Sequence, residues 1–280
     1  MIHTATQLKA LVHNISKGNS MQAQIVIRNY MMERFLERLS LSQYRNNFIL
    51  KGGTLVSAMV GLDVRSTLDI DTTIKGLPLS VDEVTNIVGE IISVRLEDGV
   101  DFQITRTSEI MDEAEYPGVR VMLEASLNSM RTPLKLDIST GDVITPREIS
   151  YQFKLMFENR TINVLAYNLE TVLAEKLQSV LSYGCANTRM RDFYDLHILQ
   201  NDPAALDPTT MAAAFTATCI KRGTVLSYQE GTLILQEIRQ SDDMKKLWRG
   251  YQKKYSYAAN LDWNVVITSV LTLYDISMGM

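Results

Sequence analysis

Apolar residues recur at helical spacing from the start of the chain. Leu8, Leu11, Val12 and Ile15 form one stripe, and Ile25, Ile27, Met31, Phe35 and Leu39 another, so residues 1–47 are expected to be helical. At Phe48-Ile49-Leu50 the pattern shortens to a compact apolar run that enters Lys51-Gly52-Gly53-Thr54, and Leu55, Met59 and Leu62 then resume a helical stripe. Leu68-Asp69-Ile70-Asp71 alternates with period two, as a strand does, which sends Leu68 and Ile70 to the core and both aspartates to the other face. Residues 91–97 and 100–107 read as two strands around Asp98-Gly99, a pair suited to a hairpin turn, and 119–127 and 133–139 read as two more. Pro146 is expected to end the sheet. After Asn168 the helical period dominates, over 169–183, 189–200, 209–221, 228–239, 243–257 and 263–276. The pattern predicts an α/β (α+β) fold, a mixed-sheet domain followed by a helical half.

Composition narrows the class. The 280 residues are 46 % hydrophobic and 21 % charged, which excludes a disordered or collagen-like chain. Twenty-eight Lys and Arg against 32 Asp and Glu give a net charge of −4. That excludes a wholly basic surface but not a local basic patch. Cys185, Cys219 and the histidines at 3, 13 and 197 lack metal-type spacing. The N-terminus is too polar for a signal peptide, and no run approaches the roughly 18 apolar residues of a membrane span. A reduced, soluble, cytoplasmic protein with no membrane partner is expected.

The candidate chemistry lies in four places. Paired glycines at Gly52-Gly53 allow close backbone approach and positive φ, and a helix starting there would offer free N–H groups to an anion. Asp69 and Asp71 on one strand face repel each other unless a cation lies between them, and oxygen-only ligands suit Mg²⁺. In 133–139, Leu134, Leu136 and Ile138 take one side, and Asp137 with Lys135 the other, a third carboxylate for phosphoryl transfer. Further on, Leu169, Val172, Leu173, Leu177 and Val180 form a helical stripe with Lys176 inside it. Phe193, Leu196 and Leu199 form the next, with Asp192 inside and Asp195 at its edge. Charged residues on buried faces need partners. Lys176 and these acids therefore make either a shared polar site or a pair that only joins two helices.

A Gly-Gly turn, a helix, an Asp-x-Asp strand and a later strand with one acid resemble the polymerase-β-like nucleotidyltransferases. More narrowly, Phe48–Asp71 (FILKGGTLVSAMVGLDVRSTLDID), Leu136–Pro146 (LDISTGDVITP), Glu170–Lys176 (ETVLAEK) and Arg191–Asp195 (RDFYD) resemble, in order, the motifs of the AbiEii-type nucleotidyltransferase toxins of toxin–antitoxin and abortive-infection systems.

The resemblance implies a nucleotidyltransferase domain over 1–157 and a helical domain over 158–280 that completes its active site. It implies Mg²⁺ on Asp69, Asp71 and Asp137, with Asp137 also able to act as general base. Lys51, Gly52, Gly53, Thr54, Arg65, Thr67 and Asp195 would bind the NTP substrate. Lys176 would neutralise charge developing on the phosphates. The family gives this lysine and one aspartate of the last motif an essential role, and the stripe favours Asp192. By the same resemblance the acceptor is the tRNA 3′ end, whose modification would stop translation and growth, and an antitoxin is a partner. Basic and aromatic residues mix in 244–257. There Lys245, Lys246, Arg249, Lys253 and Lys254 beside Trp248, Tyr251 and Tyr255 make either an RNA-binding stretch or an ordinary solvated helix face. Ser66 and Thr67 are hydroxyls beside the acids where a modification would add negative charge. Two other readings use the same residues: nucleotidylation of a protein hydroxyl, and a non-catalytic nucleotide-binding module.

Overall fold

Helices α1 (Ala5–Ser16) and α2 (Ser20–Leu41) open the chain. The computed structural model of the protein describes residues 2–16, 19–110, 118–141, 143–200 and 206–280. From Tyr30 to Leu39 helix α2 is buried all round, although it carries Glu33, Arg34, Glu37 and Arg38. Those charges are paired. Arg34 meets Glu37 at 2.9 Å and Glu158 at 3.2 Å, and Arg160 donates to both oxygens of Glu37 at 2.6 and 3.0 Å.

The sheet then begins with β1 (Phe48–Lys51), followed by α3 (Gly52–Val60), β2 (Asp69–Ile74) and α4 (Val81–Ile92). Ser80 caps α4 by accepting from the Glu83 N–H, and Asp82 and Glu83 in the first turn suit the helix dipole. Residues 91–97, expected as a strand, are instead the end of α4 and the loop after it. Ile87, Val88 and Ile91 complete a buried stripe that starts at Val84 on this amphipathic helix. Asp98-Gly99 is not a hairpin turn either. The Asp98 carboxylate is buried and takes two hydrogen bonds from Arg38, at 2.8 and 2.9 Å. Gly99 has φ of 65°, and a Cβ there would come within 2.9 Å of the His3 carbonyl.

Strands β3 (Val100–Ile110), β4 (Gly118–Leu127) and β5 (Met130–Ser139) follow, the last two close to expectation and joined at Asn128, which takes φ of 53°. Pro146 does not end the sheet. Strands β6 (Ile149–Lys154) and β7 (Thr161–Ala166) come after it, so the expected division at 157/158 falls between two strands of one sheet. The seven strands lie in the order β3-β4-β5-β2-β1-β7-β6. Strand β2 runs antiparallel to β1 and parallel to β5, and β1 runs parallel to β7.

The helical region contains α5 (Leu169–Tyr183), α6 (Met190–Ile198), α7 (Pro208–Lys221), α8 (Tyr228–Gln240), α9 (Asp242–Lys254) and α10 (Trp263–Ser277). Each matches the periodicity to within a few residues. Their starts are fixed by side chains that accept first-turn N–H groups: Asn168 for α5, Asp207 for α7, a Ser227–Glu230 capping box for α8, Ser241 for α9 and Asp262 for α10. Their core includes Leu173, Leu177, Phe193, Trp248, Trp263 and Val270. The chain divides into two compact units. One comprises Met1–Leu62, Ser66–Gly141 and Ile149–Ala166, and the other Asp63–Arg65, Asp142–Glu148 and Tyr167–Met280.

Candidate active site

The three sequence-predicted acids of the sheet do share one face. Asp69 and Asp71 flank the fully buried Ile70 on β2, and the parallel register sets Asp71 beside Asp137 and Asp69 beside Lys135 on β5. Leu68, expected in the core, is 40 % exposed, because β2 starts only at Asp69.

Asp71 is the inner member. The Gly53 N–H donates to its Oδ2 at 3.3 Å. Gly52 takes φ of 60°, and a Cβ there would collide with the Asp71 carboxylate, so the paired glycines let the backbone close over this acid. Burial, with Asp137 and then Asp69 close by, pushes the Asp71 carboxyl above its ordinary range, while the Gly53 N–H pulls it part of the way back. Thr54 is buried, and its hydroxyl donates to the Asp69 carbonyl, tying α3 to β2. Lys51 donates to Ser139 Oγ at 2.8 Å, which crosses β1, β2 and β5.

Two cations that pattern reading did not assign meet these acids. Lys135 lies 2.9 Å from Asp69 and 3.5 Å from Asp137. Arg120 grips Asp137 with two parallel hydrogen bonds of 2.8 and 2.9 Å. Arg120 was legible in principle, since it alternates with buried Val119 and Val121 and pairs opposite Asp137 in the antiparallel β4–β5 register.

Among the described residues, no three His, Cys, Asp or Glu side chains converge as a complete metal cage. Mg²⁺ needs less, since one or two carboxylates plus substrate phosphates suffice. Asp69 and Asp71 fit that requirement in donor type and shared face. The raised Asp71 carboxyl is a group whose charge a cation would stabilise. Asp137 fits less directly, because Arg120 already holds both its oxygens.

Helices α5 and α6 build a second polar cluster, in the helical unit. Lys176 on α5 lies 2.7 Å from Asp192 and 2.8 Å from Asp195 on α6. Arg65 donates to both oxygens of Asp195 at 2.7 and 3.1 Å. In burial the two acids fall in the opposite order to their places on the helical stripe. Asp195, placed at the edge, is 0 % exposed and serves two cations, whereas Asp192 is partly exposed and serves one. Burial alone would lower the Lys176 ammonium, but Asp192 and Asp195 outweigh it and hold the group charged. Burial alone would raise Asp195, but Lys176 and Arg65 pull its carboxyl below the usual range. Arg65, expected on the nucleotide, is itself buried in this ion pair.

Two other sequence expectations change. Thr67 is buried with its hydroxyl directed at the Asp69 carbonyl, at 3.4 Å, and is not a reachable hydroxyl; Ser66 is partly exposed. In α9 the aromatics are not offered as a stacking ladder. Trp248 is 1 % exposed, donates to the Leu261 carbonyl at 3.0 Å and belongs to the core, as does Tyr251. Tyr255 is partly exposed. Lys245 is paired with Asp242 at 3.2 Å, while Lys246, Arg249, Lys253 and Lys254 are exposed. No helix among the described residues is long and apolar enough to cross a membrane.

Comparison with known proteins bears on the fold and the family. Two solved structures share the fold. A protein from H. pylori described provisionally as a nucleotidyltransferase superposes with a TM-score of 0.54 at 14 % identity, covering 91 % of this chain and 95 % of that one. JHP933 from Helicobacter pylori superposes with a TM-score of 0.55 at 15 % identity, covering 91 % and 92 %. No curated protein matches the chain. The family model described as nucleotidyl transferase AbiEii toxin, type IV TA system, matches residues 34–269. The chain belongs to the AbiEii family of nucleotidyltransferase toxins.

Proposed function

We propose that the protein is a Mg²⁺-dependent toxin that transfers a nucleoside monophosphate from an NTP to an acceptor and releases pyrophosphate. The acceptor in this reading is the tRNA 3′ end, and the outcome is arrested translation in a toxin–antitoxin or phage-defence setting. The observation that carries the reading is the half-buried Asp71, flanked by Asp69 and Asp137 on one sheet face and closed over by Gly52-Gly53.

Asp69 and Asp71 would hold Mg²⁺, which when bound supplies charge neutralisation on the triphosphate. The chain's own groups do the rest. The Gly53 N–H at the start of α3 donates to Asp71, and Gly52 keeps the space over that carboxylate clear of a side chain. Arg120 and Lys135 fix the rotamers of Asp137 and Asp69. Lys176 stays charged between its carboxylates, a fixed cation of the helical unit of the kind that neutralises phosphate charge. The family supports an antitoxin partner.

The test incubates the protein with α-labelled NTPs and Mg²⁺, with either total tRNA or a protein lysate. Label on tRNA, lost with EDTA and in Asp71→Asn, is the expected result. Label on protein alone overturns the acceptor assignment, and label on neither overturns the transfer.

A further inference from the structure

The carboxylates of β2 and β5 are already surrounded by cations of the chain. Lys135 stands between Asp69, at 2.9 Å, and Asp137, at 3.5 Å. Arg120 holds both oxygens of Asp137. Lys51 lies opposite Asp71 in the β1–β2 register. Glu124, further along the same face of β4, is occupied by Arg131 at 3.4 Å. Three carboxylates therefore meet three cations, and their formal charges cancel.

That balance changes what the acids can do. A carboxylate pair attracts a divalent cation through negative charge that nothing else offsets. Here a free cation finds no such surplus, and Lys135 already occupies Asp69. To bind, it must displace one ammonium and approach two further positive groups. Repulsion between a unit charge and a divalent ion at contact exceeds thermal energy even at the dielectric of water. With the cation in place, the face carries an excess of two positive charges, which an anion has to offset. The phosphates of an NTP supply that anion.

Lys135 is the member of the set that can move. Arg120 is fixed by its two parallel bonds to Asp137. Lys135 carries its charge on a flexible four-carbon stem. Its side chain is 28 % exposed and that of Asp69 40 %, so the pair can open without disturbing the core.

We propose that Lys135 is the resident counter-ion of this site: it keeps a free divalent cation off Asp69, and it yields that carboxylate only when phosphates arrive to take the ammonium. The proposal rests on the nucleotidyltransferase reading and makes Lys135 a positioning residue that couples metal binding to NTP binding. Such coupling is reciprocal, so each ligand tightens the other by the same factor.

The test uses Mn²⁺, which suits the same oxygen ligands and is counted directly by electron paramagnetic resonance. Free Mn²⁺ is titrated into the full chain without nucleotide, and mant-ATP binding is measured by fluorescence at saturating Mg²⁺. Lys135→Met keeps the stem and removes the charge. Arg120 still holds Asp137, and water can reach Asp69, so the sheet keeps its fold. This variant is expected to bind free Mn²⁺ about tenfold or more tighter than the wild type, through the lost Coulomb repulsion. It is expected to bind mant-ATP about fivefold or more weaker, through the lost phosphate contact. The opposite signs mark the counter-ion role, because a general disturbance of the site weakens both. Lys135→Arg keeps the charge and should exclude free Mn²⁺ as the wild type does. Adding Asp69→Asn to Lys135→Met should abolish the gain. Mn²⁺ affinity that Lys135→Met does not raise overturns the proposal, and so does mant-ATP binding that it does not weaken. Wild-type transfer of label from an NTP without that Mn²⁺ gain removes this proposal and leaves the transferase reading standing. Absence of mant-ATP binding in the wild type removes both.

Discussion

Asp192 and Asp195 lie one helical turn apart on α6, yet they carry different loads. Asp195 has no contact with solvent and compensates two buried cations, Arg65 and Lys176. Removing it leaves both with less than they need in a place water does not reach. Asp195→Ala should therefore cost about 3–5 kcal/mol of stability, the range for breaking a buried ion pair. Asp192→Ala leaves Lys176 still bound to Asp195 and should cost about 1.5–2 kcal/mol. Urea unfolding of both variants checks the order, and equal costs would contradict the assignment of Asp195 as the hub. At this scale the sequence showed that charges occupy buried helix faces, which is how Lys176 was found. It could not rank the two acids. Arg65, the partner that draws Asp195 inward, lies 130 residues away in the chain and leaves no trace in local periodicity. Asp69, Asp71 and Asp137 were legible because strand alternation is itself local.

Among the elements, α2 shows most clearly what pattern reading misses. Its apolar spacing announces a helix, but a helix with paired charges on every side gives no sign of being buried. Glu33 is the most constrained of those charges. It accepts the Met156 N–H at 3.0 and 3.1 Å, and burial pushes its carboxyl up from about 4.5 to about 8. The folded protein therefore holds this proton over a range where the unfolded chain has released it. Stability must fall as pH rises from about 4.5 to about 8, since the native state binds more protons there. Glu33→Gln keeps a carbonyl oxygen for Met156 and cannot titrate. Its melting temperature should fall less than the wild type's between pH 5 and pH 8, and parallel curves would refute the assignment. Burial lowers the His197 imidazole, which gives the opposite slope, but that contribution is common to both proteins and cancels in the comparison. The other elements divide by the same logic. Helices α5 to α10 bury a stripe and were readable to within a few residues. Strands β6 and β7 were not, because β6 is an edge strand that buries only Phe153. The run 91–97 imitated a strand because β-branched residues close the buried stripe of α4.

On the scale of the whole molecule, a net charge of −4 opposes an RNA acceptor if it is taken as a single sum. At physiological salt, however, charges more than about 8 Å away are largely screened, so the sum over the chain matters little at contact. The charges that count are those at the ligand, and in the helical unit Lys246, Arg249, Lys253 and Lys254 of α9 are exposed. This gives a quantitative expectation. Each phosphate neutralised on a single strand contributes about −0.7 to the slope of log K against log salt, so three contacts give about −2. Lys254→Ala should reduce the magnitude of that slope by about 0.7. A slope that Lys254→Ala does not alter would place the phosphates elsewhere on the surface.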